Sequence, residues 1–324
     1  MNQISPGEAY ERVARNIQQV LHGKPGLVRL AVVCLFSEGH VLVEDVPGLG
    51  KTTLARSLAA SVDGKLRRIQ FTPDLLPSDV TGVMVYHQGE NRFEFHPGGV
   101  FANVVLADEI NRGTPKTQAA LLEVMEERTV TVDSERCAVP RPFMVVATQN
   151  PIDMEGTYRL PEAQLDRFLM RLSVGYPDPA AEIRVLLDEA AGVGPEQLRP
   201  VLGLDALRGV IAAVRRIHID EALAGYAVNL AAATRRHDDL TLGASPRGSV
   251  ALIRAARAFA ATYGREYVTP DDIKQVAAPV LAHRLILKPE AELRRRGTEE
   301  VLAEVLASVP VPGMGVTAVA RARV

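Results

Sequence analysis

The 324-residue chain contains no tryptophan and only two cysteines. Cys34 and Cys137 lie far apart in the sequence, so they provide neither a disulfide framework nor a cysteine metal site. We expect both to be buried thiols in a reducing compartment. The seven histidines form no ligand pattern either. His87 and His96 are nine residues apart and are expected to be solvated rather than metal-binding.

The chain also lacks a strong net charge and a long hydrophobic run. Its formal net charge is −2, so no overall basic field favours a nucleic-acid partner. The apolar stretch at 27–36 is interrupted by Arg29 and falls short of the ~18 residues that a membrane span needs. The first residues show no charged segment followed by an apolar one, so no signal peptide is predicted. We therefore expect a cytoplasmic protein with no membrane span and no nucleic-acid partner.

The chain does contain a strand, a glycine-containing loop and a helix in the order that phosphate binding requires. An apolar run from Val41 enters the loop, and a helical pattern follows it. Backbone N–H groups of such a loop and of the helix N-terminus surround phosphate oxygens. Lys51 can reach the β- and γ-phosphates, and the Thr52 hydroxyl can ligate Mg²⁺. One position departs from the usual pattern, because Asp45 stands where a glycine is common. The predicted nucleotide-binding residues of the loop are Pro47, Gly48, Leu49, Gly50, Lys51, Thr52 and Thr53.

Two further strand ends carry polar side chains. A hydrophobic strand at 104–108 ends in Asp108 and Glu109. Asp108 would hold Mg²⁺ directly or through water, and Glu109 would orient and deprotonate an attacking water. Another apolar strand precedes Asn150, whose amide could contact a γ-phosphate or that water. From the local sequence alone, a turn before Pro151 explains Asn150 better than a catalytic role does.

The organisation of the chain is α/β in its first part and helical afterwards. Helical patterns separate five predicted strands, at 40–44, 66–71, 104–108, 143–148 and 168–172. This alternation predicts a parallel five-stranded sheet between helices. Two hairpins interrupt it, at 81–96 and 128–139. The predicted domains are an αβα nucleotide-binding core at 1–177 and a helical domain at 178–324.

Four motifs in this order resemble the MoxR family of AAA+ ATPases, and the resemblance extends from residue 20 to residue 312. The motifs are Pro-Gly-Leu-Gly-Lys-Thr-Thr at 47–53, Leu-Ala-Asp-Glu-Ile-Asn-Arg at 106–112, Ala-Thr-Gln-Asn-Pro at 147–151 and Leu-Pro-Glu-Ala-Gln-Leu-Asp-Arg-Phe at 160–168. The resemblance implies a P-loop AAA+ core with a helix-2 insert and a pre-sensor-1 hairpin, plus an all-α lid. The two predicted hairpins fit these inserts.

The same resemblance implies roles for individual residues. Lys51 and Thr52 would be Walker A, Asp108 and Glu109 Walker B, and Asn150 sensor 1. Arg247 would be sensor 2, contacting the nucleotide of its own chain from the lid. Arg167 would be the arginine finger that enters a neighbouring subunit's site, with Arg171 left open as an alternative. The residues that match the adenine-pocket segment are Val20, Leu21 and Gly23.

The implied function is Mg²⁺-dependent ATP hydrolysis by a homo-oligomer, a hexameric ring whose hairpins line a central pore. Family members are thought to act as chaperone-like machines on protein complexes, with partners that carry a von Willebrand factor A domain. Three other functions stay open at this point: a metal-chelatase motor subunit, a nucleic-acid motor, and a nucleotide-gated binding module that barely hydrolyses ATP.

Overall fold

The computed structural model describes residues 4–46, 48–132, 135–150, 157–158 and 160–313. The strands in these ranges are β1 (Val41–Glu44), β2 (Leu66–Gln70), β3 (Gly82–His87), β4 (Arg92–Pro97), β5 (Val104–Asp108), β6 (Thr129–Val132), β7 (Glu135–Ala138), β8 (Met144–Gln149), β9 (Met170–Leu172), β10 (Leu240–Leu242) and β11 (Ile286–Leu287). The helices are α1 (Pro6–Ile17), α2 (Pro25–Phe36), α3 (Lys51–Ser61), α4 (Pro77–Thr81), α5 (Pro115–Glu127), α6 (Glu162–Leu165), α7 (Pro179–Ala191), α8 (Leu204–Arg215), α9 (Glu221–Arg235), α10 (Pro246–Thr262), α11 (Pro270–Leu281), α12 (Pro289–Leu293) and α13 (Thr298–Ser308).

A parallel five-stranded sheet forms the centre of the fold, as predicted. Its strand order is β2-β5-β8-β1-β9, and each neighbouring pair is parallel. Successive residues of a strand face opposite sides, so Val104 and Leu106 enter one hydrophobic core while Val105 and Ala107 enter another. Burial on both sides explains why β5 is apolar until its final aspartate. The order also places β8 between the strand that leads to the P-loop and the strand that ends in the acidic pair.

The helical second part packs on the first without a break in the hydrophobic core. One core runs from α1, α2 and α3 through one face of the sheet to α8–α11 and α13. The predicted boundary near residue 177 is therefore a change of architecture along the chain rather than a gap in packing, and it stays a prediction. The lid is helical as expected, and it also contains the antiparallel pair β10–β11. These strands are too short to show a two-residue period in the sequence.

Both predicted hairpins are present. β3 and β4 pair from Gly82 with Pro97 to His87 with Arg92, and β6 pairs with β7. The first hairpin closes at a base that only glycine fits. Gly82 has a φ of +98°, and a Cβ on Gly98 would lie 2.4 Å from the Gly82 nitrogen. The hairpin follows the five-residue helix α4, where the helix-2 insert was expected.

Two helices of the second part begin at a proline, and the two cysteines differ in burial. The side chains of Thr269 and Asp272 form a capping box at the start of α11. The helix α10 begins at Pro246, and the Ser245 side chain makes no capping hydrogen bond. Burial raises the pKa of Cys34 to about 12. Cys137 is only half-buried, because β7 belongs to a hairpin outside the main sheet.

Among the described residues, no helix combines the length and apolarity that a bilayer crossing requires.

Candidate nucleotide site and the arginine cavity

The predicted phosphate-binding and acidic residues meet at the carboxyl edge of the sheet. β1, β5 and β8 end side by side, which is the edge where open α/β sheets bind ligands. A cavity of about 370 Å³ lies there, called the P-loop cavity below. Its described lining is Gly48, Gly50, Lys51, Thr52, Thr53, Asp108, Glu109, Thr148 and Asn150. Predictions drawn from three separate motifs thus converge on one cavity.

The loop has the backbone conformation of a phosphate cradle. Gly48 and Gly50 have φ values of +82° and +88°, a backbone conformation that residues with a side chain rarely adopt. The helix α3 begins directly at Lys51, so its free N–H groups face the cavity. Leu49 does not line the cavity but packs against the hydrophobic core, which anchors the loop. Pro47 lies outside the described residues.

Lys51 is held against its own loop. Its Nζ donates to the Asp45 carbonyl oxygen at 2.5 Å. Burial lowers the pKa of Lys51, although the carboxylates of Asp45, Asp108 and Glu109 act in the opposite direction. A partly desolvated cation beside open backbone N–H groups fits the phosphates of a nucleotide.

The acidic pair is fixed by its neighbours on both sides. From β8, the Thr148 hydroxyl donates to Asp108 Oδ1 at 2.6 Å and accepts from the Glu109 N–H at 2.9 Å. From β2, Arg68 Nη2 lies 2.6 Å from Asp108 Oδ2, and Gln70 Nε2 donates to Glu109 Oε2 at 3.0 Å. The carboxylate and hydroxyl oxygens of Asp108 and Thr52 form a donor set that suits Mg²⁺. The ion pair with Arg68 must loosen for Asp108 to bind a cation directly.

Arg68 and Gln70 were not among the site residues predicted from the sequence. A signal was present, because the two residues are two positions apart on a predicted strand and therefore share one face. What the sequence does not contain is the pairing of β2 with β5, which sets Gln70 opposite Asp108.

Asp45, the departure from the usual loop pattern, has a structural role. Its carboxylate accepts hydrogen bonds from the N–H groups of Val46 and Gly175 and from the Ser173 hydroxyl, at 2.7–2.8 Å. Burial alone raises the pKa of Asp45, but these hydrogen bonds outweigh it and the net pKa is lowered. A glycine here would leave the turn at 173–175 without its acceptor. Asp45 thus ties the P-loop to the segment that leads to α7.

The predicted adenine-pocket segment lies beside the loop. A Cβ on Gly50 would contact the Leu21 side chain at 3.4 Å, and Gly23 has a φ of +70° and packs on Ala181 of α7. Val20 is half-buried in the turn that follows α1. The neighbouring His22 Nε2 lies 2.6 Å from Asp188 Oδ2, so α7 is held against this segment.

Two of the predicted arginines lie elsewhere. Arg167 and Arg247 line a cavity of about 680 Å³, the arginine cavity. Glu126 lies between them, with Oε2 3.1 Å from Arg167 Nε and Oε1 3.3 Å from Arg247 Nη2. Seven arginines line this cavity against three carboxylates: Arg128, Arg141, Arg167, Arg215, Arg247, Arg254 and Arg284, with Glu38, Glu126 and Asp166.

The arginine cavity is separate from the P-loop cavity, whose described lining contains no arginine. Arg171, the alternative finger, lies in neither set and instead pairs with Glu44 at 3.2 Å. Arg284 is a further residue that the sequence did not single out. It is almost fully buried, and it joins the lid to the segment before β9 through Asp166 at 2.6 Å and the Phe168 carbonyl oxygen at 2.8 Å.

A P-loop, an acidic pair at a neighbouring strand end and a polar strand end between them define a P-loop ATPase with AAA+ architecture. Comparison with known proteins agrees. The family described as "ATPase family associated with various cellular activities (AAA)" matches residues 40–170, and the AAA lid domain matches residues 232–305. The protein is therefore an ATPase of the AAA+ class.

Individual relatives narrow the class. The uncharacterised protein YeaC of Bacillus subtilis is 46% identical over 93% of this chain and 94% of its own length. Chaperone MoxR1 of Mycobacterium tuberculosis is 44% identical over 93% of this chain and 82% of its own. A Cytophaga hutchinsonii protein assigned as an ATPase has a solved structure that superimposes with a TM-score of 0.88 at 37% identity, over 94% of this chain and 96% of that one. The chain belongs to the MoxR family of AAA+ ATPases.

Proposed function

We propose that the protein hydrolyses ATP with Mg²⁺ at a site completed by a second copy of the chain, and that the cycle remodels a protein client. One chain supplies the P-loop cavity, and its neighbour supplies Arg167 and Arg247. The observation that carries this proposal is the separation of the two arginines from the P-loop cavity of their own chain.

Within one chain, the P-loop cavity supplies phosphate binding and the base. Gly48, Gly50 and Lys51 would hold the phosphates, and Thr52 and Asp108 would hold Mg²⁺. The cation, when bound, neutralises charge that develops on the phosphate oxygens. Glu109 would accept the proton of the attacking water once Gln70 releases its carboxylate. Asn150, at the end of β8, would position that water.

Two arginines next to the P-loop cavity of another chain would supply the missing positive charge. An arginine at a γ-phosphate can contribute ~10³-fold or more to the rate. From the sequence we expected Arg247 to act within its own chain. Its shared ion pair with Arg167 through Glu126 supports joint action on the neighbour instead.

An exposed apolar helix gives further support for assembly. On α7, Leu186 and Leu187 are 66% and 64% exposed, and Ile183 is 58% exposed. In the described structure only Ala181 of this helix is buried. The helix lies beside the adenine-pocket segment, and we propose that a neighbouring chain docks on this side. We propose a closed homo-oligomer, a hexameric ring, as its state.

Mixing of two inactive variants tests the shared site. Glu109→Gln keeps both arginines but loses the base, whereas Arg247→Ala keeps the base but loses one arginine. If Arg247 acts on the neighbour, mixed assemblies recover turnover at interfaces where an intact P-loop cavity meets an intact arginine. The same mixture with Arg167→Ala tests the finger, and Arg171→Ala is the matched control, expected to keep turnover.

The outcomes separate the two geometries. Recovery in both mixtures supports two arginines that act on the neighbour. Recovery with Arg167→Ala but not with Arg247→Ala would mean that Arg247 acts at the P-loop cavity of its own chain. Recovery in neither mixture, with turnover per chain independent of protein concentration, would contradict the shared site altogether.

The client is proposed from the relatives and from the first hairpin. One relative is named a chaperone, and the β3–β4 hairpin exposes the aromatic pair Tyr86 and Phe93, 48% and 64% exposed. We propose that the hairpins line the pore of a cytoplasmic ring and contact protein, with a von Willebrand factor A domain protein as the expected partner.

The effect of added partners on ATP turnover tests the client. Turnover stimulated by such a protein, and not by DNA or RNA, supports a protein client. Stimulation by a metal-inserting subunit would favour a chelatase motor.

A further inference from the structure

We propose that His87, Glu94 and His96 form a binding site for a zinc-type divalent cation on the β3–β4 hairpin. From the sequence we expected the two histidines to be solvated rather than metal-binding. The folded hairpin instead brings one ligand atom from each of the three residues within 4.8 Å of one another. This is the one such three-residue group found in the described part of the chain.

The register of the hairpin explains the convergence. His96 pairs with Val83 and Glu94 pairs with Val85, so these residues and His87 share one face of the ribbon. The opposite face carries Tyr86 and Phe93, whose rings pack with centroids 5.1 Å apart. The aromatic pair stiffens the ribbon from one side and leaves the His-Glu-His face open. The two imidazole rings lie with centroids 6.0 Å apart.

The separations suit a tetrahedral metal ion. His87 Nε2 lies 3.3 Å from Glu94 Oε2, which is close to the ~3.3 Å between two ligands that each bind Zn²⁺ at ~2.0 Å. The ligand atom of His96 lies within 4.8 Å of the other two, so a change of side-chain rotamer can complete the set. His87 Nε2 is shielded from solvent and makes no hydrogen bond of good geometry. A cation between the three groups would satisfy it.

The ligand types indicate the class of ion. Two imidazoles and one carboxylate favour Zn²⁺ and its borderline neighbours over Mg²⁺ or Ca²⁺, which prefer oxygen ligands. Arg92 competes, since its Nη2 lies 3.4 Å from Glu94 Oε2. That pair is solvent-exposed and therefore weak, so metal coordination can displace it. Three protein ligands leave a fourth position open for water or for a side chain of another molecule.

A bound ion would join the two strands across the hairpin. The hairpin is an insert outside the main sheet, and a metal that bridges β3 and β4 would restrict its bending. Metal binding on this surface is independent of the ATPase proposal, because none of the three ligands lines the P-loop cavity or the arginine cavity.

The test is titration of the untagged chain with Zn²⁺, and with Co²⁺ followed by its visible absorption. We expect one ion per chain and a Co²⁺ spectrum of tetrahedral type. Glu94→Gln and His96→Gln should each weaken binding by at least ~10-fold, since each removes one of three ligands. Zn²⁺ should also raise the thermal midpoint of the starting chain more than that of either variant.

Two matched controls locate the ion. Glu90→Gln removes a carboxylate from the same hairpin but not from the site, and should bind as the starting chain does. Glu109→Gln removes an acid of the P-loop cavity and should also leave binding unchanged. Absence of stoichiometric binding, binding that is unaltered in His96→Gln, or binding lost in Glu109→Gln would each overturn the proposal. Circular dichroism of all variants checks that they fold alike.

Discussion

The P-loop cavity and the arginine cavity are built in opposite ways. The P-loop cavity takes its functional groups from three short motifs, each directly after a parallel strand, and its described lining contains one lysine and two carboxylates. The arginine cavity collects its seven arginines from both the core and the lid, far apart in sequence. In the proposed function, the first would bind a nucleotide through local backbone geometry, and the second would present positive charge to it. We propose that each cavity contains half of a hydrolytic site, and this division is the physical argument for assembly.

The largest expected effect separates binding from hydrolysis. Lys51→Ala should abolish both nucleotide binding and turnover, because in the proposed function the lysine would contact the phosphates themselves. Arg167→Ala should keep nucleotide binding and reduce turnover by ~10³-fold, since it acts only where charge develops in the transition state. Binding of a fluorescent nucleotide analogue and phosphate release measure the two quantities. Loss of nucleotide binding in Arg167→Ala would contradict the proposal that the P-loop cavity binds the nucleotide while the arginine cavity contributes only to the hydrolysis rate.

The second prediction concerns pH and two buried histidines. His40 lines the arginine cavity and His283 contacts Arg284 of that cavity, whereas the described lining of the P-loop cavity contains no histidine. Burial lowers the pKa of His40 well below its usual range, and Arg128 adds to this. Burial and Arg284 do the same for His283. In the unfolded chain both titrate near pH ~6.5. Below that pH the unfolded chain binds protons that the folded chain does not, so stability is full above pH ~6.5 and is lost as pH falls.

The loss should reach ~1.4 kcal/mol per pH unit for each histidine between pH ~6.5 and pH ~5. Urea unfolding at a series of pH values measures the slope. His283→Gln should show about half of the pH slope of the free energy of unfolding. His218→Gln, at an exposed position, should show the full slope. An unchanged slope in His283→Gln would mean that this histidine does not remain neutral in the folded chain.

The third prediction tests Asp45, the link between the P-loop and the segment before α7. Asp45→Asn should lower the free energy of unfolding by ~1–2 kcal/mol, because charge-assisted hydrogen bonds to Val46, Ser173 and Gly175 are weakened. The folded pKa of Asp45 is lowered, so its contribution is present above pH ~4 and disappears as pH falls further. Asp63→Asn, at an exposed turn, is the matched control and should change little. Equal stability of the two variants would contradict the structural role of Asp45.

The smallest expected effect is at Glu126, which pairs with both arginines. These arginines must leave Glu126 to reach a neighbouring chain, so the carboxylate opposes assembly slightly. Partly exposed pairs are worth ~0.3–1 kcal/mol, and Glu126→Gln should therefore lower the protein concentration at half-maximal turnover by ~2–5-fold. Glu123→Gln, an exposed position on the same helix, is the control. A higher half-maximal concentration would mean that Glu126 orders the arginines for assembly instead of retaining them.

Strong local patterns made the core predictable. All five strands of the main sheet were predicted within one or two residues of their observed bounds. The strands β1, β5 and β8 are nearly continuous apolar runs, as buried parallel strands are, whereas the edge strand β2 has a weaker signal because two arginines interrupt it. The loop from Gly48 to Thr53 and the pair Asp108–Glu109 were also predictable, because each consists of residues that are adjacent in the chain. Contacts across the sheet or between domains were not predictable. Arg68 and Gln70 reach the acidic pair only because β2 pairs with β5. Glu126 meets Arg247 only because α10 packs on α1 and α2 of the core, which brings the start of α10 to the end of α5.

The sequence by itself determined the family, the phosphate loop, the acidic pair and the two hairpins, because each depends on residues that are neighbours along the chain. Tertiary structure decided which side chains meet across longer distances. It placed Arg167 with Arg247 and away from their own P-loop cavity, gave Asp45 its partners at 173–175, and set His87, Glu94 and His96 on one face of a ribbon. Strand pairing and lid packing have no local signature, since the hydrophobic burial that drives them is not directional.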